Sequence, residues 1–341
     1  MAKVEENTIT ERINCRFRQN LLSNPAVNLP LQPMNNQVKS HVSLFVAALI
    51  FGANYWISKG LMPDYFTPEQ LLFFRMAGAC IMFYAFSLFT VKEKVAPKDL
   101  WLIAFAGFLG TTLNQLLFFI GLNLTTPVDM AIIHVTSPIF VVTFAAILIG
   151  EKVSTFKISG IILGSVGAVI LILHRGEISF RSDTFTGNLM ALLNTLAYAI
   201  YMVLIKPVMA KYHAITVMKW VFLFGFLFAV PLTFSSMLTF SVDNLGSGQW
   251  LALAYVIVAT TFLAYLLTIY ALKYLEAGVA SFYIYLQPLI ASGMAFWLGK
   301  QDFTVAKALA VMMIFIGVYL VSRKKTGNLA QIKSPQDQPP D

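Results

Sequence analysis

The chain has 341 residues, of which 58% are hydrophobic and only 12% charged, with a formal net charge of +8. A soluble domain carries roughly 25% charged residues, so this composition cannot cover a water-exposed surface and places the chain in a lipid bilayer. The basic residues lie mostly in short segments between apolar runs, which reads as a topology signal and not as a nucleic-acid surface.

Residues 1–40 are polar and lack sustained periodicity, so they are expected to form a disordered N-terminal tail. Met34 opens MNNQVKSHVSLF in the manner of an ordinary protein start, and residues 1–33 read equally well as an extension upstream of it. No secretory signal peptide is visible, because the first apolar run begins only near His41.

Ten apolar runs follow, each of about the 20 residues needed to cross a bilayer core. They occupy 41–62, 69–91, 99–121, 127–149, 155–174, 186–208, 215–235, 250–272, 278–298 and 304–322, and residues 323–341 form a second tail. Most connections are short, which makes neighbouring helices antiparallel. With the N-terminus inside, seventeen Lys and Arg fall in inner segments and five at outer ends, while Arg75 and Lys219 lie within spans. That excess predicts that both termini of a multi-pass membrane protein are cytoplasmic.

The two halves echo each other at a spacing of 150 residues without a gap. Thr111 returns as Thr261, Leu116-Leu117 as Leu266-Leu267, Pro138 as Pro288, Lys157 as Lys307 and Gly167 as Gly317. Such a long-period echo marks two copies of one structural unit. Five helices per copy is an odd number, so the second copy must enter the membrane upside down. The expected fold is therefore an all-α integral membrane protein, its ten transmembrane helices arranged as two inverted five-helix repeats, 41–174 and 186–322. Folds of this type hold their solute near the bilayer midplane, between the repeats.

The residues resemble a known family, the drug/metabolite transporter superfamily and specifically its ten-helix EamA-type members. The resemblance rests on FGANYWISK in the first helix, Arg75 early in the second and TSPIF in the fourth. It rests also on the closing Gly150-Glu151 and the Gly160, Gly164, Gly167 ladder of the fifth helix. It implies a carrier of small organic metabolites in the cell inner (plasma) membrane, often an exporter of amino acids or related solutes. One departure is that the second copy shows Gly299-Lys300-Gln301 where a matching Gly-Glu is usual.

Polar side chains at bilayer depth are costly, so each one raises the question of what it serves. In the first helix Asn54 and Ser58 share a face, with Tyr55 beside them; they read as cavity lining or as hydrogen bonds between helices. Arg75 cannot lose its proton, and reads either as a structural anchor satisfied by Asp64 or Glu69 at the rim, or as a recognition site for an anion or carboxylate. Thr111, Gln115 and Phe118 form a stripe whose counterparts are Thr261, Tyr265 and Thr268, and Asn114 adjoins it. A stripe kept through an inverted repeat would line both halves of one cavity, though packing hydrogen bonds explain it too.

In the fourth helix His134 precedes Pro138 by four positions, and Pro138 and Pro288 are both expected to kink their helices and serve as bending points. His134 reads as a satisfied histidine or as the carrier of a coupling proton. Asn194, Tyr198 and Tyr201 in the sixth helix, with Tyr285 and Gln287 in the ninth, form the remaining candidate wall.

The chain has no P-loop, HExxH, CxxC or G-x-S-x-G, so neither ATP-driven transport nor an enzyme reaction is expected. Cys15 and Cys80 lack partner spacing, and no cofactor, metal or disulfide is expected. The expected partners are a small-molecule metabolite and the lipid bilayer, with no nucleic acid; a homodimer is left open, without a sequence feature to support it. The competing expectation is a membrane-embedded lipid flippase or enzyme using the same central cavity.

Overall fold

The computed structural model describes residues 34–89, 93–125, 130, 133–173, 185–243, 245–287, 289–290 and 305–322. Among these residues there are helices and connecting turns, with no strand. The spans are α1 (Met34–Leu61), α2 (Pro68–Leu88), α3 (Pro97–Leu124), α4 (Ser137–Ile149) and α5 (Thr155–Leu173) in the first half. The second half holds α6 (Phe185–Lys211), α7 (Ala214–Met237), α8 (Ser247–Tyr274), α9, which opens with Ala277–Ser281, and α10 (Val305–Ser322). Six of them are long and apolar enough to cross a membrane, and α4, α5 and α10 contribute shorter apolar stretches. Large apolar side chains such as Ile81 and Trp101 point outward, as a lipid-facing surface requires.

Local chemistry sets the helix starts. Thr67 and Gln70 form a reciprocal capping box ahead of α2, with Pro68 at the first position, where its missing N–H costs nothing. The same two residues bond Ser236 at the end of α7, through its hydroxyl at 2.7 Å and its carbonyl at 2.9 Å, so the cap also pins α2 to α7. α1 begins at Met34, ahead of the expected boundary near residue 41, because the polar turn continues the helix with Ser40 bonded back to the Asn36 carbonyl.

Close helix approach depends on small residues, since burial gives little drive when the solvent is itself apolar. α5 and α10 form the most extensive helix pair among the described residues, and the Gly160–Gly164–Gly167 ladder is its seam. A Cβ on Gly160 would stand 2.8 Å from the Gly317 carbonyl oxygen. α3 meets α6 where Gly110 faces the Tyr201 ring and where a Cβ on Gly187 would lie 2.8 Å from the Leu124 backbone.

Among the described residues four spans depart from simple α-helices. α3 contains a π-helical stretch, Phe108–Leu113, and α8 contains another, Tyr255–Leu263. Both end at repeat-equivalent leucines (113 + 150 = 263), so the distortion belongs to the duplicated unit. The expected fourth span, 127–149, is not continuous: Val135 and Thr136 form a turn, and α4 starts afresh at Ser137. Pro138 therefore sits in the first turn of a helix, where it breaks no ladder, and the expected mid-helix kink is instead a full helix break. α9 similarly tightens into a 3-10 turn at Phe282–Tyr285; Pro288 lies outside the described residues.

Candidate functional site

Between the two halves lies a cavity of about 650 Å³, its open mouth included. Its lining comes from α1, α2, α3, the break before α4, α6, α8 and the turn after the start of α9. Ten of the candidates line it: Asn54, Tyr55, Arg75, Asn114, Gln115, His134, Asn194, Tyr198, Tyr265 and Gln287. Phe51, Phe118, Ser137, Thr195 and Ile284 complete the wall.

The polar groups are organised in two clusters. In one, Asn114 and Asn194 hold each other reciprocally, each side-chain amide donating to the other's backbone carbonyl, at 3.1 and 2.6 Å. The Asn194 Oδ1 is then free to accept from His134 Nε2 at 2.7 Å. His134 Nδ1 meets the Tyr55 hydroxyl. The Phe118 ring stacks on the imidazole at 6.0 Å between centroids. The histidine is thus bonded at both nitrogens.

In the other cluster, Arg75 donates from Nε to the Thr261 hydroxyl at 2.6 Å, and its guanidinium carbon stands 5.5 Å from the Phe119 ring centroid. Only 4% of the residue is exposed. Neither Asp64 nor Glu69 reaches it, so the expected rim anchor is replaced by a buried site. Next to it, Gln115 donates to the Tyr265 hydroxyl at 2.8 Å, while Gln115 Oε1 and the Ser137 hydroxyl are buried without partners.

A family model for the EamA-like transporter family matches both halves of the chain, residues 38–173 and 185–323. The chain belongs to the EamA-like transporter family. An uncharacterized transporter of Archaeoglobus fulgidus is 26% identical over 295 residues, covering 84% of this chain and 98% of the relative. The uncharacterized transporter YyaM of Bacillus subtilis is 22% identical over 290 residues, covering 83% and 94%. A probable terminal-alkyne amino-acid exporter of Streptantibioticus cattleyicolor is 23% identical over 240 residues, covering 70% and 78%. A solved crystal structure shares the fold, with a TM-score of 0.68 at 18% identity over 84% of this chain and 98% of the other.

Five candidates stand outside the cavity wall of this EamA-like transporter. Ser58 donates to Asn54 Oδ1 at 3.0 Å and so supports a lining residue from behind. Thr111 bonds back to the Gly107 carbonyl at 2.6 Å, and Thr261 to the Val256 carbonyl at 2.7 Å. Both threonines lie in the π-helical stretches, whose wider turn rotates them off the face that a 3.6-residue period assigns. Tyr201 is wholly buried against Gly110 with an unpartnered hydroxyl, and Tyr285 bonds Ser165 on α5 at 2.7 Å. Of the lining residues not among the candidates, Phe118 belongs to the stripe visible in the third helix, whereas Phe51 and Ile284 carry no polar signal.

The Gly150-Glu151 motif has a role away from the cavity. Gly150 ends α4 in the left-handed conformation, at φ 69°, which favours glycine. Glu151 then pairs with Lys206 at the end of α6 at 2.9 Å, lies 3.8 Å from Lys157, and accepts from the Ala277 N–H at 3.0 Å. Glu276 pairs with Lys157 as well. Burial pushes the Glu151 carboxyl up, but Lys206, Lys157 and the Ala277 N–H together hold it below its ordinary value. The network joins the α4–α5 loop of one half to α6 and the α8–α9 loop of the other.

Proposed function

We propose that this EamA-like transporter is a secondary carrier that exports small organic metabolites, amino acids or related solutes, across the cell inner membrane by alternating access. The observation that carries the reading is the polar cavity between the halves at the depth of the spans, with buried hydrogen-bonding groups left unsatisfied in its wall. Buried polar groups without partners are expensive and are retained where a ligand completes them. Asn54, Tyr55, Arg75, Asn114, Gln115, His134, Asn194, Tyr198, Tyr265 and Gln287 would contact the solute. The halves 41–174 and 186–322 would rock against each other, with the break before Pro138 as one bending point. The excess of Lys and Arg on one set of loops supports cytoplasmic termini. Outward transport of amino acids is supported by the Streptantibioticus relative named as an amino-acid exporter.

The test is untargeted metabolite profiling of cells and medium with and without expression of the chain. A small set of metabolites rising in the medium and falling in the cells is the expected result. An unchanged profile at confirmed membrane expression removes the transport reading.

A further inference from the structure

Arg75 is a fixed cation without a counter-ion among the described residues. The ion pairs among the described residues engage Glu151, Glu276 and Asp99, and none reaches the guanidinium. Nε is held by Thr261, while Nη1 and Nη2 have no hydrogen-bond partner among the described residues. Among the described residues the cavity lining contains neither Asp nor Glu. A buried charge removed from water and left unpaired is strongly unfavourable, so a site of this kind is completed by an anion that arrives with the solute. The guanidinium edge matches a carboxylate, which it can grip with two parallel N–H bonds.

The rest of the wall describes the body of that solute. Phe51, Phe118 and Tyr198 present aromatic faces, which favour an apolar or aromatic skeleton. Gln115, another wall residue, carries a buried acceptor with no donor, Oε1.

We infer that the cavity takes carboxylates with an apolar or aromatic body, the carboxylate on Arg75, and that it rejects amines that lack a carboxylate. The inference rests on the transport reading, since it assigns a solute to the same cavity. It excludes cationic solutes, because nothing in the wall offsets a second positive charge beside Arg75.

The experiment measures thermal stabilisation of the purified full chain by three compounds on one skeleton: phenylalanine, 3-phenylpropanoate and 2-phenylethylamine. Both acids should raise the midpoint in a concentration-dependent way, and the amine should leave it unchanged. Arg75→Gln should weaken the apparent affinity for both acids at least tenfold, with Arg75→Lys intermediate. If Arg75→Gln does not fold, the acid-against-amine comparison on the parent chain decides alone. Stabilisation by the amine equal to that by the acids overturns the inference. So does the absence of any shift with either acid, or an undiminished acid shift in folded Arg75→Gln. A changed metabolite profile of the medium would in those cases leave the transport reading standing.

Discussion

Gln115 Nε2 and the Tyr265 hydroxyl are hydrogen-bonded at 2.8 Å, and they are the same position in the two copies of the repeat, 150 residues apart. The bond closes the wall of the cavity at the seam between the halves. Tyr265 also reaches the Gly110 carbonyl at 3.3 Å, inside the π-helical stretch of α3. The duplicated unit therefore meets its own image through side chains that the solute would touch.

Removing that bond tests the seam. Tyr265→Phe leaves Gln115 Nε2 buried without an acceptor, next to an Oε1 that already lacks a donor. The expected cost is about 1–3 kcal/mol, read as a lowered midpoint in detergent. Export should fall by more than the drop in folded protein explains. Equal export per folded molecule would show that the pair is structural only.

The α3–α6 contact has no room for a methyl group. Gly110→Ala would drive its Cβ into the ring of Tyr201, which is buried and enclosed. Overpacking of this kind costs typically 1–3 kcal/mol or more, so the yield of folded, membrane-inserted chain should drop sharply. Gly60→Ala is the control, because a Cβ there meets nothing within 4 Å. Equal yields for the two variants would contradict the close packing of α3 on α6.

Glu151 predicts an acid limb in the stability curve. Its carboxyl is held below its ordinary value of 4.5, so the folded state binds the proton less readily than the unfolded chain. The stability it contributes is present above that ordinary value and is lost as pH falls through the lower folded value. Glu151→Gln should lower the midpoint at neutral pH, by roughly 3 kcal/mol, because Lys206 and Lys157 lose a buried partner. The same variant should flatten the curve below about pH 4.5. Thermal melts of both forms between neutral pH and pH 3 check this; parallel curves would contradict it.

Much of the fold is legible in the sequence because bilayer physics writes it in long apolar runs. The repeat is legible because Thr111, the Leu116-Leu117 pair and Pro138 return at one fixed spacing. The site is legible only in part. A 3.6-residue stripe places Thr111 and Thr261 in the cavity wall, and the π-helical turns take them out of it. Neither residue type nor spacing signals those turns. A hydroxyl in a span is also easily satisfied by its own helix, as with Thr268 and the Ala264 carbonyl, so polarity at depth does not by itself mark a wall. Phe51 and Ile284 show the converse: apolar residues can line a cavity without any sequence signal. Pro138 marks an interruption, but whether a proline bends a helix or opens one depends on the residues before it, here Val135 and Thr136 in a turn.

The most direct test of a watery chamber between the halves is side-chain accessibility at the cavity wall. With Cys15 and Cys80 replaced by serine, Gln287→Cys and Ile139→Cys are each exposed to an anionic, membrane-impermeant methanethiosulfonate in intact membranes. Gln287 lines the cavity and is half-buried there, and Ile139 is 45% exposed on the outer, lipid-facing surface. Gln287→Cys should react at least tenfold faster, since a thiol needs water to form the reactive thiolate. Equal rates, or a faster Ile139→Cys, would mean that no aqueous space separates the two halves.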